Sequence, residues 1–451
     1  MDRIDQLAAG RDRVVDAARG GSIVLVAIGH WLVIDLRRTA TGTFEGSDVL
    51  AHLVGLQILT WVFQVMPVFF AAGGAVGFAS WRRHRDRGGT AAAWVAGRLW
   101  RLAWPTLPVI AFWTVVTQFG RHTLGLSPGL LDATRGIALV VWFLAIYTIV
   151  IALVPALESL CGRFGWRVPV ALGVAAVAVD VGSFLAGYRS STTPAWPWIN
   201  YLLVWATVTT AGRWWPATAT RAAARVGAVT AAVALAAMVL LTSLGPYPVA
   251  MVGVAGQARS NSTPPTVVLI VLAAVQIGLL LAARAPLERL LARPRVYGVV
   301  ALVGARTMTI YLWHLLPVAV LALGLVLPGL WPAPDVGSAG WWAAKVGWVL
   351  LAGSLTVPVV WLAGRFERPP AVALATTPMR VVAATLLLAF GWAALAIQGF
   401  HPTELPGGVP VFALAPLAAA VAVLVRRRPQ RPGGSAATRP GRAQGSARVQ
   451  G

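Results

Sequence analysis

The stretch RVVDAARGGSIVLVAIGHWLVI, residues 13–34, indicates both the fold class and the chemistry of this chain. Its apolar part is long enough to cross a bilayer, which takes about 20 residues. It nevertheless carries Asp16 and Arg19 near one end and His30 well inside. Ionisable side chains are costly in a membrane and usually face a bundle interior or a water-filled cavity. The stretch therefore predicts a membrane helix with a polar face.

The composition of the whole chain is that of an all-α, polytopic transmembrane helical bundle. Of its 451 residues, 58% are hydrophobic and 12% are charged, whereas a soluble domain has about 25% charged residues. Apolar segments recur along the chain and predict twelve spans. They lie near residues 17–36, 51–79, 99–119, 135–157, 168–186, 196–212, 226–244, 265–283, 307–327, 341–363, 380–398 and 409–425.

The basic residues are distributed very unequally between the two sides of this predicted bundle. Of the 37 Lys and Arg residues, 30 fall on the side that holds both termini. The other side has only Arg37, Arg38, Arg121, Arg135, Arg189, Arg259 and Lys345. The positive-inside rule then predicts a plasma-membrane (inner-membrane) protein with both termini in the cytoplasm. The net charge of +22 is explained by topology, which argues against nucleic acid as a partner.

Arg19 and His30 lie on one face of the first predicted helix. At about 100° per residue, the eleven steps between them add up to about three full turns. The two side chains are therefore about 16 Å apart along the helix axis. Asp16 is near the same face and could orient the Arg19 guanidinium. His30 is either a neutral histidine hydrogen-bonded to a neighbouring helix or part of a built polar site.

A second intramembrane histidine favours the built site. The segment RTMTIYLWHLLPVAVLALGL, residues 306–325, places His314 at a similar depth, with Tyr311 on the same helical face. Imidazole is the side chain best suited to move a proton near neutral pH. We therefore expect His30 and His314 to face a common interior cavity, with Arg19 opening onto its cytoplasmic side.

Five ordered motifs make the sequence similar to acyltransferase family 3 of integral membrane proteins, over roughly residues 13–364. The Arg19–His30 spacing resembles the family's first-helix pattern, and VFFAAGGAVGF (68–78) its Phe-Phe-x-Ser-Gly segment. AGRLWRLAWPTLPV (96–109) resembles Arg-x-x-Arg-Leu-x-x-Pro, VWFLAIY (141–147) the Trp-Phe-Leu signature, and YLWH (311–314) the Tyr-Leu-x-His motif. In the second motif, Ala72 or Gly73 stands where serine is usual, so no hydroxyl role is expected there.

The resemblance implies a ten-helix acyltransferase core followed by two additional helices. On this basis residues 1–16 are a cytoplasmic N-terminal segment, 17–364 the membrane core, and 365–425 two extra transmembrane helices. Residues 426–451 form a low-complexity basic tail that we predict to be disordered in the cytoplasm. The scarcity of lysine beside 36 arginines is typical of a bacterium with GC-rich DNA.

The resemblance also implies an O-acyltransferase reaction. An acyl group, commonly acetyl, would pass from cytoplasmic acyl-CoA to a hydroxyl of an extracytoplasmic or membrane-associated glycan, glycolipid or small molecule. Acyl-CoA is then a co-substrate, and no permanently bound cofactor or metal is expected. His30 would be the base, or the group that carries the acyl in a two-step route, with Arg19 and His314 as the other catalytic residues.

Further residues are candidates for binding the two substrates. Arg98 and Arg101 lie one turn apart and would hold the CoA phosphates; the alternative is ordinary positive-inside flanking. The candidates on the acceptor side are Tyr311, Trp142, Asp180 in the fifth span and Asn261 in the loop GQARSNSTPPT (256–266). Trp142 could instead be packing, Asp180 an interhelical hydrogen-bond partner, and the loop a simple helix cap.

The competing functional class is a multi-pass transporter, or a flippase of a lipid-linked or small polar substrate. Twelve spans with both termini inside would also suit a secondary carrier. The two halves show no paired pattern of interrupted segments, and the ordered motifs favour the enzyme. Transfer or hydrolysis of an acyl-CoA by the purified protein would discriminate between the two classes.

Overall fold

The structure, a computed structural model, describes residues 12–39, 44–127, 130–131, 133–187, 195–216 and 218–425. The predicted basic tail and residues 1–11 of the predicted N-terminal segment lie outside these ranges. The described chain is almost entirely helical, with one two-stranded hairpin. The predicted all-α polytopic bundle is therefore confirmed.

Helices follow one another along the described chain, with short 3-10 and π turns between some of them. The α-helices are α1 (Arg13–Val33), α2 (Val49–His52), α3 (Thr60–Phe63), α4 (Met66–Asp86), α5 (Ala91–His122), α6 (Thr134–Leu139), α7 (Trp142–Phe164), α8 (Arg167–Leu185), α9 (Asn200–Ala211), α10 (Arg221–Ser243), α11 (Val267–Ala282), α12 (Arg284–Leu291), α13 (Pro294–Gly304), α14 (Thr307–Trp313), α15 (Leu316–Leu321), α16 (Ala339–Ala363), α17 (Pro378–Gln398) and α18 (Val411–Leu424). The strands are β1 (Ile34–Arg38) and β2 (Phe44–Asp48).

Each of the twelve predicted spans contains helix, but fewer than twelve qualify as spans. Among the described residues, eight helical segments are long and apolar enough to cross a membrane, or nine if the bent pair α11–α12 counts as one. The remaining three segments contain α1, α9 and α18. α9 and α18 have only 12 and 14 residues, whereas a span needs about 20. In α1, the polar residues Asp16, Arg19 and His30 interrupt the apolar run.

The first predicted span ends earlier than expected, because β1 begins at Ile34. β1 pairs antiparallel with β2, from Ile34 opposite Asp48 to Arg38 opposite Phe44. Asp35 in β1 accepts hydrogen bonds from Arg37 and Trp341 and lies 3.1 Å from Lys345 Nζ. Burial raises the pKa of Asp35, but the hydrogen bonds and charges of Arg37 and Lys345 outweigh burial and hold it below its ordinary value. This ion cluster anchors the end of α1 to α16.

α1 lies at the centre of the packing that forms the site. It contacts α4, α12, α13, α14 and α16. At its start, the Asp12 carboxylate caps the helix and also pairs with buried Arg284, 2.7 Å away. Arg13 donates to the Leu291 carbonyl. Contacts at both ends thus fix the position of α1, which carries Arg19 and His30.

Two helices next to α1 are broken, and side chains from other elements satisfy the opened backbone. Between α3 and α4, the carbonyls of Trp61 and Gln64 accept hydrogen bonds from Gln276 on α11. Between α14 and α15, the His314 carbonyl accepts from Trp31 Nε1 at 2.8 Å. Non-helical backbone at membrane depth is tolerated only where such partners are buried in protein. The second break lies at the histidine motif itself.

Two glycines allow α4 to approach α9 closely. A Cβ on Gly74 would come within 2.0 Å of the Thr209 carbonyl oxygen, and one on Gly212 within 2.1 Å of the Ala71 oxygen. Small residues at such crossings permit the close backbone contact that drives helix association in lipid. Beside the crossing, Phe70 stacks on Trp205 with ring centroids 4.6 Å apart. This contact fixes the GG segment of the second motif against the bundle.

The two C-terminal helices pack onto the core rather than standing apart from it. α17 contacts α5, α6 and α7, and α18 packs mainly against α17. Trp100 Nε1 donates to the Pro370 carbonyl at 3.1 Å, and Thr117 Oγ1 donates to the Phe400 carbonyl at 3.3 Å. α17, α18 and the segments next to them therefore pack against α5, the helix that carries Arg98 and Arg101.

Candidate active site

The two intramembrane histidines meet directly inside the bundle. His30 Nδ1 and His314 Nε2 are 2.8 Å apart, and the rings stack with centroids 5.0 Å apart at an interplanar angle of 15°. His314 is fully buried and His30 is half-buried. The expectation that both residues face one interior is confirmed, although 284 positions separate them in the chain.

The hydrogen bonds around the pair define one arrangement of protons when both rings are neutral. His314 Nδ1 lies 2.7 Å from the Tyr311 carbonyl oxygen, which can only accept, so Nδ1 carries the hydrogen. His314 Nε2 is then an acceptor, and His30 Nδ1 must be the donor to it. The lone pair of a neutral His30 consequently lies on Nε2, which has no hydrogen-bond partner among the described residues. His30 is thus oriented as a base or a nucleophile.

The break after α14 explains the position of His314. Backbone hydrogen bonding continues to His314, whose N–H donates to the Ile310 carbonyl. The next helix, α15, starts at Leu316 and has Pro317 in its first turn, where proline lacks the N–H that a helix interior needs. Trp31, next to His30, donates to the His314 carbonyl and so ties the break to α1.

Arg19 lies nearer the N-terminal end of the same helical face, and no described residue supplies its counter-ion. Within the described part of the chain its guanidinium makes no hydrogen bond or ion pair, and its Nε is buried without a partner. Its Cζ lies 5.9 Å from the centroid of the Phe69 ring. Asp16, proposed above as its partner, instead accepts a hydrogen bond from Tyr297. Arg19 is therefore available to an anionic ligand.

Arg98 and Arg101 line a cationic pocket between α4 and α5. The pocket has a volume of about 220 Å³. Arg98 donates to Ser80 Oγ at 2.7 Å and lies within electrostatic range of Arg19 and Arg101. The predicted donor-binding arginines and the predicted catalytic arginine therefore belong to one positively charged region.

Tyr311 of α14 and Trp142, the first residue of α7, both lie at the break between α6 and α7. The Tyr311 hydroxyl donates to the Val140 carbonyl, just before Trp142. The Trp142 ring packs edge-on against Tyr201, with centroids 5.6 Å apart. Tyr311 thus joins the histidine motif to the Trp-Phe-Leu motif. The hydroxyl of Tyr311 is engaged with the backbone, and Trp142 is engaged in aromatic packing.

Asp180 is buried, and its carboxylate accepts hydrogen bonds from three other segments of the bundle. Its Oδ1 accepts from Asn200 Nδ2 at 2.8 Å, and its Oδ2 accepts from the Tyr247 hydroxyl at 3.1 Å and the Val267 N–H at 2.8 Å. The last bond caps the start of α11. These contacts match the interhelical role considered above for Asp180 and place it apart from the histidine pair.

The Asn261 side chain likewise makes its hydrogen bonds within its own loop. Its Nδ2 donates to the carbonyls of Pro248 and Ala250, and its Oδ1 accepts from Thr266 Oγ1 at 3.0 Å. Asn261 is completely buried. It organises the segment before α11, and no contact joins it to His30 or His314 in the described structure.

We expect Asp180→Ala to destabilise the protein while leaving catalysis intact in the molecules that fold. Each buried donor left without a partner costs about 1–3 kcal/mol, and the substitution affects three of them. Thermal unfolding in detergent should show a clear loss of stability. The KM for the acceptor should stay as in the wild-type protein. An unchanged unfolding temperature together with a raised acceptor KM would instead support the substrate-binding role.

The profile of an acyltransferase domain family matches residues 12–365 of the chain. The chain belongs to acyltransferase family 3. The match covers α1 to α16 and ends before α17 and α18. Neither the curated proteins nor the solved structures yielded a match to this chain.

Within this acyltransferase, Gly73, one of the two residues that can stand at the usual serine position of the second motif, lies against Tyr147. A Cβ on Gly73 would lie 3.2 Å from the Tyr147 hydroxyl oxygen and 3.3 Å from a ring carbon. Tyr147 itself packs against Phe69, Phe70 and Phe143. The absence of a side chain at Gly73 therefore leaves room for the Tyr147 ring.

Sequence reasoning missed the second wall of the arginine pocket. Arg83 and His84 at the end of α4, and Arg87 just after it, line the pocket together with Arg98 and Arg101. The run WRRHRDRGG was the available signal, but a charge run at a span end is usually topological. Among the described residues, no group of three or more His, Cys, Asp or Glu side chains could hold a metal ion.

Proposed function

We propose that this membrane acyltransferase moves an acyl group from cytoplasmic acyl-CoA to an acceptor hydroxyl, with His30 as the general base. The observation that carries the proposal is the His30–His314 pair, in which His314 leaves the His30 Nε2 lone pair free. The unpaired Arg19 lies on the same helix, at the end that borders the arginine pocket. A base and an anion site are thus held on one rigid element.

The arginine region suits the anionic end of CoA. Arg19 and Arg98 are within electrostatic range of each other, and neither has a carboxylate partner in the described structure. Guanidinium groups bind phosphate through two parallel hydrogen bonds. We assign the CoA pyrophosphate to these two residues, with Arg101 beside them. The positive-inside distribution of charge supports a cytoplasmic location for this end of the bundle and for both termini.

The length of the donor fits the distance between the two sites. Arg19 and His30 are about 16 Å apart along the helix axis. The pantetheine arm has as many main-chain bonds as about four to five extended residues, so it spans roughly 15 Å. A donor anchored at Arg19 would therefore bring its thioester to the depth of His30.

These residues and the two substrates account for every proton and bond in the proposed reaction. His30 Nε2 takes the proton from the acceptor hydroxyl as its oxygen attacks the thioester carbonyl carbon. The tetrahedral intermediate collapses, the C–S bond breaks, and the thiolate leaves with the proton returned by His30 Nε2. His314 accepts the Nδ1 hydrogen bond throughout, as the Tyr311 carbonyl orients it. In a two-step route, His30 Nε2 would attack the thioester carbonyl carbon, and the C–S bond would break to release the CoA thiolate. The acceptor hydroxyl would then attack the acyl-imidazole, the C–N bond would break, and the acceptor proton would pass to the thiolate.

The acceptor approaches from the side opposite the donor. We propose a hydroxyl of an extracytoplasmic or membrane-associated glycan, glycolipid or small molecule. The commonest acyl group in the family is acetyl, which we take as the donor for testing. The test is release of free CoA from acetyl-CoA by purified protein in lipid nanodiscs, with water or glycosides as acceptors. Wild-type protein that releases no CoA with any acceptor, and instead moves a solute across vesicles, would support the transporter.

Arg98→Ala is expected to weaken donor binding by roughly 10- to 100-fold, because one charge-assisted phosphate contact contributes about 1.5–3 kcal/mol. The measurement is calorimetric titration of a thioether analogue of acetyl-CoA at fixed salt. The matched control is Arg225→Ala, which removes an exposed arginine of α10 that does not line the pocket. Equal donor affinity in the Arg98 and Arg225 variants would show that Arg98 serves topology alone.

A further inference from the structure

The pocket between α4 and α5 is larger than the pyrophosphate assignment needs. α4 ends at Asp86, the chain turns at Gly88 with φ of 80°, and α5 begins at Ala91. This tight turn brings two rows of basic side chains opposite each other. Arg83 and His84 of α4 and Arg87 just after it line one wall beside Ser80, and Arg98 and Arg101 of α5 line the other.

The described part of the protein does not neutralise the positive charge of this pocket. Among the described residues, Arg83, Arg87, Arg98 and Arg101 form no salt bridge. The acidic residues nearby are engaged elsewhere: Asp86 pairs with Arg85 at 3.1 Å, and Glu158 with Arg213 and Arg82. Four guanidinium groups that share a cavity repel one another unless an anion lies between them.

A second observation points to a ligand. His84 lines the pocket, and its Nε2, which packs against Gly89, is a buried atom with no hydrogen-bond partner among the described residues. A buried polar atom without a partner costs free energy, so such atoms are normally satisfied by protein, water or ligand. The cavity volume of about 220 Å³ is well above the ~10–15 Å³ that one water molecule requires. The pocket thus has room and donors for a polyatomic anion.

We propose that Arg83, His84 and Arg87 bind a phosphate monoester, namely the 3′-phosphate on the ribose of CoA. The proposal rests on the proposed function, because it takes acyl-CoA as the donor. CoA carries two anionic groups on one ribose, the pyrophosphate at the 5′ position and the monoester at the 3′ position. Arg98 lies in the pocket and within range of Arg19, so it stands between the two subsites. The monoester carries close to two negative charges at neutral pH, which suits the larger cluster.

The site would therefore select CoA over carriers that lack this phosphate. Dephospho-CoA has the same pyrophosphate and pantetheine arm but no 3′-phosphate. It should bind to Arg19 and Arg98 as CoA does and leave the α4 wall empty. Phosphate monoesters also occur as headgroups of anionic lipids such as phosphatidate, so the experiment must separate these two sources.

The test compares CoA with dephospho-CoA by calorimetric titration of the full chain in phosphatidylcholine nanodiscs at fixed salt. Wild-type protein should bind CoA roughly 10- to 100-fold more tightly, as expected for charge-assisted contacts. The double variant Arg83→Ala/Arg87→Ala should lose this preference yet bind dephospho-CoA as the wild type does. The matched control is Arg85→Ala, since Arg85 is exposed on the same helix end but pairs with Asp86.

The outcomes separate the two proposals. If neither CoA nor dephospho-CoA binds to the wild type, the proposed function fails. If both bind equally well to wild type and double variant, the donor site stands and the 3′-phosphate subsite is overturned. If adding phosphatidate to the nanodiscs stabilises the wild type but not the double variant, while CoA and dephospho-CoA remain equal, the pocket is a lipid site and the inference is likewise overturned.

Discussion

Replacing His30 with alanine is expected to lower acyl transfer by roughly 100- to 10,000-fold, which is the contribution of a positioned general base. The protein should still fold and insert, because His30 is half-buried and, among the described residues, its side chain hydrogen-bonds only to His314. Donor binding should be unchanged, since the arginine pocket lies about three helical turns away. His30→Gln should be nearly as inactive, because an amide can accept a hydrogen bond but cannot take the proton.

The measurement is the rate of CoA release and of acylated product, with expression level and thermal unfolding as checks on folding. His122→Ala is the matched control, because His122 is exposed at the end of α5. Wild-type rates in His30→Ala would rule out both the base and the acyl-carrier role. Mass spectrometry of protein quenched with acetyl-CoA separates those two roles, since only the two-step route leaves an acetyl group on residue 30.

The second large effect is expected at His314, which we propose to act on the acceptor through His30. Without the Nε2 acceptor of His314, a neutral His30 has no partner that keeps its hydrogen on Nδ1. His314→Leu should therefore lower kcat about 100-fold, a large share of what a positioned base contributes, while the KM for the donor stays the same. His314→Gln should recover part of the loss, because its Oε1 can accept from His30 Nδ1.

A structural role alone would not produce the spectroscopic result that we expect. In ¹⁵N-histidine NMR spectra, wild-type His30 should have its hydrogen on Nδ1, and His314→Leu should give a mixture of tautomers. Tyr311→Phe serves as the control for packing, since it removes the bond to Val140 but keeps the backbone carbonyl that orients His314. A kcat in His314→Leu equal to that of Tyr311→Phe would contradict the positioning role.

Much of the site was predictable where a local rule applies. The helical period alone placed Arg19 and His30 on one face, and the cost of ionisable groups in lipid marked both histidines as interior. The ordered motifs led to the family, and the match over residues 12–365 confirms it. The span count was less accurate, because hydropathy marks apolar segments but not where a helix breaks. α9, for example, has 12 helical residues inside a predicted span of 17.

The sequence by itself determined that this protein is a helical membrane bundle, which family it belongs to, and which residues of α1 share a face. These properties follow from composition and from a period of 3.6 residues, both of which are local. Only the tertiary structure decided that His30 hydrogen-bonds His314 and that Arg83 and Arg87 join the pocket of Arg98. It also decided that Asp180 and Asn261 are engaged in structural contacts. Those pairings depend on how helices distant in sequence cross and where they break, and the packing of the whole bundle fixes both.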